Sequence, residues 1–142
     1  MGTTAINIAR YVINKCISLG RPISNLQLQK ILYYIQGAFI KSTNGQLLFN
    51  EDIEAWQYGP VVPVVYYMYN NYSASTIRDL QSVNELDIGI SEIIDPVIET
   101  KSRISVWNLV TRSHLEDPWR NSYIGGQKRV IPVEELQKFF NR

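Results

Sequence analysis

The chain has 142 residues, 45% of them hydrophobic and 19% charged, with a formal net charge of +1. That is enough chain to bury a core without staples, and it holds no run of roughly eighteen apolar residues that would cross a membrane. Cys16, the lone cysteine, excludes an intramolecular disulfide and a cysteine cage for a metal, and the start lacks a signal-peptide pattern, so the reading is a single cytoplasmic domain over 1–142.

Thr4 is placed to cap a first helix whose apolar positions Ala5, Ile8, Ala9, Val12, Cys16 and Leu19 follow three-four spacing and make one buried stripe. Gly20 suits the position after its end, and Arg21-Pro22 stops it. Cys16 lies on the stripe and reads as core. Ser24-Asn25-Leu26-Gln27 fits a capping box and starts a second helix with the stripe Leu28, Ile31, Leu32, Ile35 and Phe39. Lys30, Tyr33 and Tyr34 widen that stripe, so more than one side should be covered. Asn44-Gly45 closes the following loop, and Leu47 to Phe49 should tuck it onto the core.

Ile53–Tyr58 alternates as a short strand with Glu54, Trp56 and Tyr58 on one face. Gly59-Pro60 predicts a turn, with the next helix starting at Pro60 or Pro63 and facing Val65, Met68, Tyr69 and Tyr72 inward. Residues 73–90 predict loop, with a helical turn at Ile77–Val83. Ile90–Thr100 reads as a helix that is kinked at Pro96 or restarts there with Asp95 as cap. Ser105 caps a short helix to about Thr111, Asp117-Pro118-Trp119 is a turn or helix start, Lys128–Ile131 is a second strand, and Pro132–Phe140 is a final helix. The fold class is mainly α (α+β): about six or seven helices with a small antiparallel β-sheet made by Ile53–Tyr58 and Lys128–Ile131.

The charge is unevenly spread. Residues 1–45 carry Arg10, Lys15, Arg21, Lys30 and Lys41 and no acid, residues 46–100 carry Arg78 against nine acids, and residues 101–142 are basic again. Either basic and acidic parts neighbour each other in the fold, or an acidic patch is exposed for a basic partner.

The segment LQLQKILYYIQGAF, then Leu48-Phe49, Glu54-Ala55-Trp56, Tyr58-Gly59-Pro60-Val61 and a tyrosine-rich helix, resembles the Panacea domain, the SocA-like antitoxin family found in phage-associated proteins. Downstream, Leu109, Ser113-His114 and Pro118-Trp119 are similar to that family's Leu, Thr-His and Pro-Trp pattern, with Ser113 in place of Thr and Arg112 in place of an apolar residue. The resemblance implies an antitoxin that binds a cognate toxin protein directly, in a bacterial or prophage toxin–antitoxin system. It also implies an alternative, a protease adaptor; a phage-encoded inhibitor of a host protein is a further reading, and homo-oligomers are open.

Three readings are weighed on the residues themselves. A protein-binding surface would use Trp56, Tyr58, Pro60, Tyr66, Tyr67, Tyr69, His114 and Trp119, because tyrosine and tryptophan give large contact area with few rotatable bonds. Against this stands a core role, above all for Trp56 and Tyr58 beneath the Gly59-Pro60 turn; Tyr66 and Tyr67 are adjacent on a helix and cannot both face inward. An enzyme would have to be built on His114, Glu116 and Asp117, but one histidine without a phosphate loop or nucleophile elbow supports neither catalytic residues nor a metal, and nothing calls for a cofactor. His114 reads instead as structural, bonding backbone near the turn before Trp119. Nucleic acid is disfavoured, since the Lys and Arg residues form no stripe and Lys128-Arg129 is a short pair.

Overall fold

Two capped helices begin the fold, and the second is the axis on which the rest is laid; the computed structural model describes residues 2–142. In α1 (Ala5–Ser18) the Thr4 hydroxyl accepts from the Asn7 amide at 3.1 Å, and the Glu51 carboxylate accepts from the Ala5 amide at 3.1 Å. Two otherwise orphaned first-turn donors are thereby satisfied. The helix closes as a Schellman motif, with Gly20 N–H donating to Ile17 O at 3.0 Å and Arg21 N–H to Cys16 O at 2.9 Å. The predicted stripe is buried, Ile13 joins it, and Leu19 caps the end half-buried.

Helix α2 (Asn25–Ser42) carries the predicted capping box: Ser24 Oγ accepts from Gln27 N–H at 3.3 Å while Gln27 Oε1 accepts from Ser24 N–H at 3.0 Å. It is buried almost all round because helices, loop and sheet cover it on every side. Its buried polar side chains clamp the loop and the hairpin that come next in the chain. Gln36 Oε1 accepts from Leu48 N–H at 2.8 Å and its Nε2 donates to Phe49 O at 2.7 Å. Gln29 Oε1 accepts from Val62 N–H at 2.9 Å, and Lys30 Nζ donates to Pro60 O at 2.8 Å. A buried polar group without a partner is costly, so these bonds fix where both segments sit.

The sheet has three strands, one more than the sequence predicts. Strand β1 (Glu54–Trp56) is central, flanked by β2 (Gly59–Val61) and by a strand near the C-terminus, all antiparallel. The register pairs Glu54 with Val61, Ala55 with Pro60 and Trp56 with Gly59. The turn is therefore Gln57-Tyr58, and Gly59-Pro60 lies in a strand. An edge strand tolerates the missing proline N–H. Gly59 has φ +104, and a Cβ there would stand 2.7 Å from Lys30 Cε and 2.8 Å from Ser113 Oγ. Only glycine fits both the backbone and the space.

Helix α3 (Pro63–Met68) starts at the second predicted proline and passes through Tyr69 into a single turn of 3-10 helix at Asn70–Tyr72. Val65 and Tyr69, four residues apart, face inward, but Met68 is 42% exposed, because it lies off that line on the side of the helix. The predicted helical turn at Ile77–Val83 is instead an extended strap along α1. Asn14 exchanges hydrogen bonds with the Gln81 backbone, N–H to Oδ1 at 2.8 Å and Nδ2 to C=O at 2.9 Å. Asn7 does the same with Asn84, at 2.8 and 3.1 Å. Two helical turns rise about 10 Å and three extended residues span about 10 Å, so the two side chains meet the strap in register.

Helix α4 (Ile88–Lys101) runs through Pro96 without restarting; Asp95 is no cap but accepts from Tyr11 Oη at 2.6 Å and faces Lys15 at 3.8 Å. After α5 (Val106–His114) and α6 (Asp117–Arg120), strand β3 (Arg129–Val130) pairs Val130 with Glu54 and Arg129 with Ala55. Helix α7 (Val133–Phe140) lays the Phe140 ring against Gly37 of α2, where any Cβ would collide with it. The described residues thus form seven α-helices and a small antiparallel sheet, as the sequence predicts in outline.

Candidate partner-binding face

Alternation along β1 puts Glu54 and Trp56 on one face, and Glu54 Oε1 accepts from the Trp56 indole N–H at 2.8 Å. Helix α3 brings Tyr66 and Tyr67 against the same indole. The Trp56–Tyr66 centroids lie 5.0 Å apart at 67°, Tyr66–Tyr67 5.5 Å at 83°, and Trp56–Tyr67 6.1 Å. The first two are favourable edge-on arrangements and the third is tilted. The Lys128 ammonium lies 3.8 Å from the Trp56 ring centroid. Lys128 is the next position after Arg129 in the β3 register, which sets it across from Trp56.

Beside this cluster, the hairpin turn projects Tyr58, 47% exposed, to meet Trp107 of α5 at 5.5 Å and 82°. Trp107 is 58% exposed and Tyr67 60%, and Val64, Met68 and Val130 add further exposed apolar surface on α3 and β3. A tyrosine–tryptophan surface of this kind has the composition of a binding face.

The site residues read from the sequence fall into three groups. Trp56, Tyr58, Tyr66 and Tyr67 come together. His114 and Trp119 stand behind them: Trp119 Nε1 donates to Trp56 O at 2.7 Å, and its ring stacks on His114 at 3.8 Å and on Tyr123 at 5.0 Å. Pro60 and Tyr69 are corrections, for both are buried. Pro60 is held in β2 with its carbonyl on Lys30, and Tyr69 donates from its hydroxyl to Gln81 Oε1 at 2.8 Å, so neither offers contact surface. Tyr58 is not covered by a Gly59-Pro60 turn, because the turn lies two residues earlier and Tyr58 is part of it. Sequence reasoning misses Trp107. Its signal is an indole standing outside the stripe of Leu109, Val110 and Ser113 on α5.

The ionisable residues considered for chemistry face different neighbours. Burial holds the His114 imidazole below its ordinary value; the Gln57 carbonyl opposes this and the Lys30 charge adds to it, while Nε2 has no hydrogen-bond partner among the described residues. Glu116 accepts from Tyr33 Oη at 2.9 Å and Tyr34 Oη at 3.1 Å, and its burial raises it above the usual carboxylate range. Asp117 pairs with Arg120 at 2.6 Å on the surface. Lys30, fully buried, is pushed down to about 7 by desolvation. Among the described residues no three His, Cys, Asp or Glu gather as a metal site would need, and no helix is long and apolar enough to cross a membrane.

Set against known proteins, residues 28–120 match the family model described as "Antitoxin SocA-like, Panacea domain". A curated relative, Antitoxin SocA of Caulobacter vibrioides (strain NA1000 / CB15N), is 34% identical over 125 residues. That match takes in 79% of this chain and 66% of the relative, so the chain spans just under two thirds of the relative's length. No solved structure matches. The matched span runs from α2 through the hairpin and α3 to the His114–Trp119 stack, and the chain belongs to the SocA-like Panacea family of antitoxins.

Proposed function

We propose that this chain is an antitoxin that neutralises a cognate toxin by binding it directly in the cytoplasm, with no catalytic step of its own. The observation that carries this reading is the aromatic face on a family scaffold, in which Tyr58, Tyr67 and Trp107 are exposed and Trp56 and Tyr66 lie half-buried beside them. Aromatic anchors of this type supply most of the energy at protein interfaces, about 2 kcal/mol or more each when central. The dispersal of His114, Glu116 and Asp117 onto separate neighbours supports a binding role over an enzymatic one.

Co-expression with the product of the neighbouring gene tests the proposal. Growth should be rescued by the wild-type chain and lost with a Tyr67→Ala, Trp107→Ala double variant whose thermal melting is unchanged. A neighbour that is harmless alone, or rescue that survives the double variant, would sink the reading.

A second reading, a protease adaptor, draws on a separate apolar groove of about 350 Å³ between α2, α4 and α7. It is lined by Tyr34, Gly37, Ala38, Val97 and Phe140, and an adaptor needs a second surface of this sort. Toxin half-life in protease-deficient cells separates the two readings. Direct neutralisation leaves rescue intact there, and adaptor function loses it.

A further inference from the structure

We infer that the Trp56–Tyr66–Tyr67 cluster is a binding site for a cationic side chain, and that the partner's docking segment is therefore basic. The inference rests on the antitoxin reading for the identity of the partner, and on geometry for the chemistry. Tyr66 meets both Trp56 and Tyr67 edge-on and Tyr67 is tilted against Trp56, so the two tyrosines flank the indole, and a cation is attracted to ring faces, most strongly to tryptophan. The chain already demonstrates the fit, for its own Lys128 ammonium stands 3.8 Å from the Trp56 centroid.

Lys128 is a replaceable occupant. It makes no salt bridge among the described residues, and it lies just beyond the two-residue strand β3 in an exposed stretch that begins with Gly125-Gly126. The surroundings are acidic. Glu54 holds the indole N–H, and an adjoining cleft of about 270 Å³ is lined by Glu51, Asp52, Glu54, Pro63 and Val64. Val64 stands one helical turn before Tyr67, so cleft and rings form one continuous strip. A segment with two spaced arginines or lysines would place one in the aromatic cluster and the next against Asp52 and Glu54. Glu51 is already engaged by the Ala5 amide. This places on the folded surface the acidity that the sequence concentrates between residues 46 and 100.

The test uses hexa-arginine and hexa-glutamate peptides as probes and reads the indole N–H resonance of Trp56, assigned with Trp56→Phe. Hexa-arginine should shift it and hexa-glutamate should not. Lys128→Met should tighten hexa-arginine binding by about fivefold by vacating the Trp56 ring face, whereas Arg129→Met, which removes the same charge from the other face of the strand, should give a smaller gain. Tyr67→Ala should weaken binding by about fivefold with unchanged melting, since its ring is mostly exposed. The inference is overturned if the resonance does not move, if both peptides move it alike, or if Lys128→Met is no tighter than Arg129→Met. Peptide binding without loss of toxin rescue in Tyr67→Ala upholds the cation site and removes the antitoxin role of this face. Loss of rescue without peptide binding does the reverse.

Discussion

Replacing Lys30 by methionine should remove a stability that rises with pH. The lysine is completely buried, donates to the Pro60 carbonyl, and is pushed down from 10.5 to about 7 by desolvation. The unfolded chain keeps this proton until about pH 10, while the folded chain releases it as pH passes about 7. Between those values the unfolded state binds more protons, so raising the pH favours the fold. The full slope is about 1.4 kcal/mol per pH unit, and half-titration at the lower end leaves about 1.6 kcal/mol gained between about pH 7 and about pH 8.5. Urea unfolding at a series of pH values measures this, and the difference between wild type and Lys30→Met isolates it from other titrating groups. Cys16, pushed up from 9.0 to about 11 by burial, acts with opposite sign above about pH 9, so the series stops short of that. Methionine keeps the stem's packing but leaves the Pro60 carbonyl unpaired, at a cost of about 1–3 kcal/mol, so the slope is the readout and not the absolute stability. Parallel slopes for the two proteins would refute the reasoning.

Gly59→Ala should lose about 3 kcal/mol in urea unfolding, combining strain at positive φ with the collisions against Lys30 and Ser113; a loss under about 1 kcal/mol would mean that the hairpin yields easily. Asn14→Ala should release the Gln81 end of the strap, seen as faster amide exchange at Gln81 while Asn84 stays protected, with about 1–2 kcal/mol lost. Uniform exchange at both ends would show that the strap is one cooperative piece. Ser24→Ala should cost about 1 kcal/mol by opening the capping box, and an unchanged midpoint would mean that α2 is held by packing alone.

Features decided locally are legible in the sequence. The caps of α1 and α2 and the αL position after α1 depend on residues within one turn of each other, and Thr4, Ser24, Gln27 and Gly20 announce them. Features decided at a distance are not. The strap at 77–86 satisfies its backbone through Asn7 and Asn14, more than sixty residues away, so its own side chains give no sign of an extended course. Strand β2 is hidden because Gly59-Pro60 has turn chemistry, while its place in the sheet is imposed by Lys30 and Gln29 of α2. On the candidate face, adjacency shows that Tyr66 and Tyr67 cannot both be inside. The burial of Pro60 and Tyr69 and the exposure of Trp107 arise from packing that no spacing encodes.

The manner in which α1 grips the strap has a consequence for how this surface can diversify. Asn7 and Asn14 hold main-chain atoms, which every amino acid except proline presents alike. Mutations at the outward positions Leu80, Ser82 and Glu85 can therefore accumulate at little structural cost, and the molecule carries a stretch of exterior that selection is free to rewrite while the framework beneath stays in place.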